Sequence, residues 1–442
     1  MESRGSSLLT EWIVARNWQP NEGRGFLKLL ASGPDEETPM SRRSDLVAAW
    51  LEPRAEEMVR FLARLVAEPT ENPPGAGLGH CAGLLAAEMR RLGLEAELVE
   101  ITGPHSLEGP AIVRGSAGDG QKLLYFHGHY DVVPVQDRGQ FTLRREAGRL
   151  IGRGTADMKG GIVSMLYGAA AAQELGLIGD GRIVIHLVPD EETGSVVGAG
   201  HLREHHLIDP SAVAMVTGEP SGTGIWNAAR GAISLRVGFE GQEAHVGQAS
   251  FGTNAFAHMV HVARPLLAYA EEMARRPTRH TTAPGDPAGS MIVVGGMCGG
   301  GSNFNVVPAD AWFTVDGRFN PEEDLHSELE RMQTLIRDAA AEVGAKVTIE
   351  VTQLQPPAGT RADHPAGATL ARCVEEVRGE SARFEMCGGI LENRWYDQLG
   401  IPAFAYGAGR LDVSHGPHEY VDEQELFRTA AVYALYAADL LV

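Results

Sequence analysis

Cysteine is scarce in this chain. Its four residues, Cys81, Cys298, Cys373 and Cys387, lie far apart and form no CxxC pair. That spacing argues against a disulfide framework and against a thiolate zinc site, so any metal has to be held by histidine and carboxylate. Basic charge is also short: Lys and Arg total 38 against 58 Asp and Glu, a formal net charge of −20. Nucleic acid and anionic lipid are bound mainly by basic neutralisation of phosphate, so this balance argues against both and leaves a small molecule or short peptide as the partner. Long apolar runs are missing as well. Hydrophobic residues make up 43% of the chain, yet no run approaches the ~20 residues needed to cross a bilayer. The N-terminus has no basic segment followed by an apolar stretch, and the expected location is the cytoplasm.

The chain is long enough for two or three domains. Residues 1–39 mix charges with scattered Gly and Pro and read as a peripheral extension, with a short amphipathic helix around Leu8 to Val14. A well-patterned helix, SRRSDLVAAWLEPRAEEMVRFLARLV, follows Met40, and another covers roughly 76–92. Strands at AELVEI, KLLYFHG and RIVIHLVP then alternate with helices at about 159–174 and 197–205, which indicates an α/β fold with a substantial parallel part. After Trp226 the order becomes β-α-β-β-α-β, the ferredoxin-like unit, which ends at the break QPPAG before helices and strands resume. The simplest reading is one α/β domain in two parts, 40–226 and 356–442, interrupted by an inserted domain at 227–355.

Polar residues collect at the ends of apolar strands in five places: HGHYDVVP, GRGTADMKGG, VPDEETG, VTGEPSG and VSHGPHEYV. Ligand sites of open sheets form at such ends. In an extended strand His127, His129 and Asp131 share one face, an arrangement that is costly unless something binds them. Three carboxylates in a row, Asp190, Glu191 and Glu192, make no sense as a core feature, although they suit a solvated turn. Singly, a His or Asp after a strand is more often a turn former than a ligand. Together the residue types are those that a pair of divalent cations takes: imidazoles and carboxylates.

The five segments, in this order and with a ferredoxin-like insertion between the fourth and fifth, resemble the M20 family of co-catalytic zinc metallopeptidases and deacylases. That family includes acetylornithine deacetylase, succinyl-diaminopimelate desuccinylase, aminoacylase-1 and glutamate carboxypeptidase. The resemblance covers about residue 40 to the C-terminus. It implies a zinc-peptidase-like catalytic domain with a mixed central sheet, and a lid and dimerisation role for the insertion. It implies two divalent cations, zinc first and cobalt or manganese as alternatives, with His129, Asp157 and Glu219 on one and Asp157, Glu192 and His415 on the other. Asp131 would orient His129 from behind, as carboxylates commonly do for ligating imidazoles. The peptide after Asp157 would be cis.

The same resemblance makes Glu191 the general base that takes a proton from a water between the metals. It leaves His127 and His418 out of the ligand set. In GQEAHVGQASFGTNAF it makes His245 a donor that reaches a neighbouring subunit's site to stabilise an oxyanion. Asn254 and Asn305 fall on substrate-binding positions, with helix N-capping an equal reading for Asn254. Arg318 also falls on a family-like position, or pairs structurally with a carboxylate. Arg394 in CGGILENRWY matches an Arg that binds the substrate carboxylate, although GGILENR is one residue longer than the commoner GGTDxR. The expected activity is hydrolysis of the amide of an N-acyl amino acid or related small carboxylate-bearing amide by a homodimer, with hinges near residues 227 and 355. A dipeptidase or carboxypeptidase of the same family is the alternative, followed by a metal-free relative that binds amino-acid conjugates or transfers amides.

Overall fold

The computed structural model describes residues 39–101 and 111–442. The extension read at 1–39, with its short helix, therefore lies outside the described residues except for Pro39. Helices α1 (Pro39–Leu51) and α2 (Ala55–Ala67) open the described chain. They correct the single helix expected there: Pro53 supplies no amide donor, and a 3-10 turn over Glu52–Arg54 separates the two. Helix α3 (Leu78–Arg91) leads into strands β1 (Glu95–Glu100), β2 (Ala111–Ala117) and β3 (Lys122–His129). A small hairpin, β4 (Arg144–Glu146) and β5 (Arg149–Ile151), precedes α4 (Lys159–Glu174), β6 (Gly181–Val188), α5 (Ala199–Glu204), β7 (Ala214–Thr217) and β8 (Ile225–Ala229).

The next stretch runs β9 (Gly231–Glu240), α6 (Ala255–Met273), β10 (Met291–Gly300), β11 (Asp310–Phe319), α7 (Leu325–Glu342) and β12 (Lys346–Gln355). The remainder comprises β13 (Ala358–Gly359), α8 (Pro365–Arg378), β14 (Phe384–Cys387), α9 (Asn393–Asp397), β15 (Ala403–Ala405), β16 (Tyr420–Asp422) and α10 (Glu423–Leu441).

The large sheet is mixed, in the order β1-β2-β6-β3-β7-β15-β8-β13, with β14 paired to β8. Its centre is parallel: β6, β3, β7 and β15 all run the same way. Strand β3 is buried at every position after Lys122, because helices cover both faces of a parallel sheet. The strand stops at His129, so Asp131 sits just beyond it rather than on the strand face where the pattern put it. The second sheet, β10-β11-β9-β12, is antiparallel and carries α6 and α7 on one face. It has its own core, built from residues such as Ile233, Leu235, Val262, Phe313, Met332 and Ile336. Among the described residues no helix is long and apolar enough to cross a membrane.

Helix α4 brings the site together. It is buried along nearly its whole length and packs along α10. Close approach depends on missing side chains: a Cβ at Gly161 would lie 2.3 Å from Gly218 O, and one at Gly168 would lie 2.7 Å from Ala430 O. Gly218 directly precedes Glu219, so the first contact sets where that carboxylate stands. Gly161→Val should therefore cost about 1–3 kcal/mol of stability through overpacking. Thermal unfolding is expected to show the loss, and metal analysis a lower content, because the displaced backbone carries Glu219 with it.

Candidate metal centre

The C-terminal ends of β3, β6 and β7 deliver His129, the Asp190–Glu192 turn and Glu219 to one edge of the parallel sheet. Asp157 arrives on the turn before α4, and His415 on the loop before β16. Two groups form from these residues: His129, Asp157 and Glu219, and Asp157, Glu192 and His415. In each, the potential ligand atoms all lie within 4.8 Å of one another. Asp157 belongs to both. Its Oδ1 is 3.1 Å from His129 Nε2 and its Oδ2 is 3.2 Å from His415 Nε2.

The surroundings fix Asp157 from behind. Glu419 Oε1 accepts the amide N–H groups of Ala156 and Asp157, each at 3.0 Å, while its Oε2 pairs with Arg153 Nη1 at 2.5 Å. The Asp157–Met158 peptide is cis. His129 is 1% exposed, and its Nδ1 lies 3.1 Å from Asp131 O and 3.2 Å from Asp131 Oδ1. Asp131 holds the turn of Glu191–Thr193 as well. Its two carboxylate oxygens accept Glu191 N–H and Glu192 N–H, each at 3.2 Å, and Asn72 Nδ2 donates to Asp131 Oδ2, Pro189 O and Thr193 Oγ1.

Electrostatics identify what the cluster binds. Burial, then the Asp157 charge, pushes the Glu219 carboxyl up to about 8. Burial also raises Glu191 well above the usual range, with Glu219 and Glu192 adding to it and His129 opposing. The imidazoles respond in the other sense: contacts with Asp157 and then Glu192 raise His415 to about 10. Glu219 Oε1 and Glu192 Oε1 are buried without a hydrogen-bond partner, Glu192 Oε1 standing 3.4 Å from His415 Nε2 outside hydrogen-bond geometry. Crowded carboxylates with orphaned oxygens, two imidazoles and no thiolate fit a pair of divalent cations, and a shared carboxylate is how such pairs are held.

The other sequence-derived positions stand apart from this cluster. His127 is fully buried, with Nε2 2.7 Å from Glu392 Oε2 and Nδ1 3.0 Å from Tyr396 OH. His245 and Asn254 are exposed on the second sheet's unit. His245 Nδ1 accepts from Gly247 N–H, and Asn254 Oδ1 caps α6 by accepting Ala257 N–H at 3.0 Å. Asn305 is half-buried, and its carbonyl accepts Val246 N–H. Arg318 pairs with Asp316 at 2.9 Å, and His418 is exposed. Arg394 is 1% exposed and gives all three guanidinium nitrogens to the protein itself: Nε to Gln355 Oε1, Nη1 to Leu391 O and Nη2 to Gly194 O.

Several residues close to the centre carry no sequence signal of their own. Asn72 sits in ENPPG, remote from every polar motif. Arg230, at the junction of β8 and β9, is 1% exposed, and its Nε and Nη1 have no partner. Its N–H donates to Gly389 O at 3.1 Å and its Nη2 donates to Pro287 O, while Asp286 and then Cys387 are the charges that act on the guanidinium. Burial raises the Cys387 thiol to about 12, and the charges of Glu219, Glu191 and Asp157 add to the rise. Only Glu419 was already visible, inside VSHGPHEYV.

The chain is 30% identical over 328 residues to acetylornithine deacetylase of Myxococcus xanthus, covering 73% of this chain and 81% of that protein. It is 21% identical over 403 residues to N-formyl-4-amino-5-aminomethyl-2-methylpyrimidine deformylase of Halalkalibacterium halodurans, covering 86% and 93%. Its fold matches the crystal structure of aminopeptidase PepT from Bacillus cereus with a TM-score of 0.71 at 21% identity, over 88% of this chain and 99% of that one. Residues 125–439 match peptidase family M20/M25/M40. That match spans well over half of the 442 residues, so the chain belongs to this family and is a metal-dependent amidohydrolase or peptidase.

Proposed function

We propose that the protein is a deacylase that hydrolyses the amide of an N-acyl amino acid or a related small carboxylate-bearing amide. The observation that carries this reading is the pair of ligand groups sharing Asp157, with Glu191 next in sequence to a member of one of them. The relatives acetylornithine deacetylase and the pyrimidine deformylase both remove an acyl group from nitrogen, which supports deacylation over peptide cleavage.

His129, Asp157 and Glu219 would hold one divalent cation, and Asp157, Glu192 and His415 the other, with zinc suited to this imidazole and carboxylate set. When bound, the two cations supply Lewis acidity, which polarises the amide carbonyl and lowers the pKa of water between them. Glu191 takes the proton from the attacking water and returns it to the leaving amine. Asp131 keeps Glu191 in place through the backbone of its own turn.

The substrate carboxylate docks on Arg230. A buried guanidinium with two nitrogens that lack a protein partner calls for an anion. The second sheet's unit serves as lid and dimer contact. Strand β10 is an edge strand with Val293 and Met297 exposed, and α6 beside it exposes Phe256, Val260 and Leu267. Across such a contact, His245 of the partner subunit supplies the oxyanion donor.

Three outcomes are expected. Glu191→Ala should lower kcat by ~10^2- to 10^4-fold while metal analysis still finds two divalent cations per chain, and chelator treatment should abolish wild-type activity reversibly. An active Glu191→Ala enzyme would remove the general base from this scheme. Arg230→Lys should raise KM about tenfold for N-acyl amino acids and leave N-acyl amines without a carboxylate unchanged, read by steady-state kinetics. Light scattering should give a dimer, and the pair Leu267→Glu, Met297→Lys should yield a monomer whose kcat is ~10^2-fold lower, as loss of an oxyanion donor demands.

A further inference from the structure

Arg394 is engaged at both ends of one short path through the molecule. On one side its Nε donates to Gln355 Oε1 at 3.1 Å, and Gln355 is the last residue of β12, where the chain leaves the second sheet. On the other side its Nη2 donates to Gly194 O at 3.3 Å, and Gln355 Nε2 reaches the same carbonyl at 3.4 Å. Gly194 closes the 3-10 turn of Glu191–Thr193. Its N–H donates to Glu191 O at 2.9 Å, and its φ of 107° is one that glycine adopts without penalty. The third nitrogen, Nη1, donates to Leu391 O at 2.7 Å and anchors the guanidinium to the segment before α9.

The turn that carries Glu191 and Glu192 is thus gripped at two points. Asp131 and Asn72 hold its start from the large sheet. Arg394 and Gln355 hold its end, and Gln355 moves with the second sheet because β12 pairs with β9 through Gln355 and Ala232. We propose that Arg394 and Gln355 are positioning residues that couple the orientation of the second sheet's unit to the placement of Glu191 and Glu192, and that Arg394 does not bind the substrate carboxylate. This rests on the hydrolase reading above. A shift of the unit pulls on Gly194, and the base and its neighbouring carboxylate follow through one turn of backbone.

The test compares wild type with Gln355→Ala, Gln355→Glu, Arg394→Ala and the double alanine variant, using N-acetyl amino acids and N-acetyl amines as substrates. Gln355→Ala is expected to lower kcat about tenfold or more with KM nearly unchanged for both substrate classes, since misplacing a reacting group costs turnover rather than binding. Gln355→Glu keeps an acceptor for Arg394 Nε and should recover most of kcat. The double variant should cost less than the sum of the two single effects, because the side chains hold each other as well as the same Gly194 carbonyl. Hydrogen exchange of the 189–198 backbone should quicken in Gln355→Ala, a readout that does not need turnover.

Wild-type kcat and unchanged exchange in Gln355→Ala would overturn the coupling. So would an Arg394→Ala variant that keeps kcat and loses KM only for carboxylate-bearing substrates, which would return Arg394 to the substrate. If Arg394→Ala fails to fold, the half-buried Gln355 carries the comparison alone. An inactive wild type would sink the hydrolase reading instead, and the exchange measurement would still decide the coupling.

Discussion

The two oxygens of the Asp157 carboxylate face different imidazoles, one 3.1 Å from His129 and the other 3.2 Å from His415, and much of the surrounding structure serves that division. A carboxylate able to serve two sites must be oriented, and Glu419 orients it by taking the two amide N–H groups that precede its side chain. Glu419 is itself neutralised by the buried Arg153. Behind Asp157, helix α4 starts at once and runs through the core, so the carboxylate is tied to the most buried helix of the large-sheet unit. The residues that face Asp157 come from three strand ends and a distant loop, and they meet only because the parallel strands end on one side of the sheet.

Charge crowding explains why the arrangement is confined to one place. Asp157, Glu192, Glu219 and Glu191 repel one another at low exposure, and two imidazoles do not balance four carboxylates. Such a cluster is costly in a fold without a cationic ligand and well matched to divalent cations with one. Arg230 repeats the theme in reverse, a buried cation with two nitrogens that lack a protein partner.

The path from Gln355 through Arg394 to Gly194 gives the two sheets a mechanical connection. Two-sheet enzymes with a cleft between units gain when closure also completes the catalytic geometry, because bound substrate then helps to assemble the site that consumes it. Here the connection is made of hydrogen bonds near 3 Å and ends at a glycine that closes the Glu191–Thr193 turn. An arginine that binds a substrate carboxylate needs nitrogens the protein leaves unpaired, and Arg394 has all three engaged.

Much of this was legible in one dimension. The alternation of strand and helix, the change of pattern after Trp226, and HGHYD, TADMKGG, DEETG, GEP and SHGPHE all follow from side-chain periodicity and from polar residues placed where a core would reject them. The break at Pro53 is a local rule that a helical pattern alone overran. Asn72 and Arg230 were not legible, because each is an ordinary residue in an ordinary segment until the fold supplies its surroundings. Arg394 shows the limit most clearly: its motif suggests a substrate ligand, yet burial and three protein acceptors set its contacts. The amino-acid order by itself determined which chemistry the strand ends carry, since residue type and alternation are local properties. Only the tertiary structure decided which side chains are spent on one another and which stay free, because hydrogen-bond partners and desolvation depend on neighbours far away in sequence.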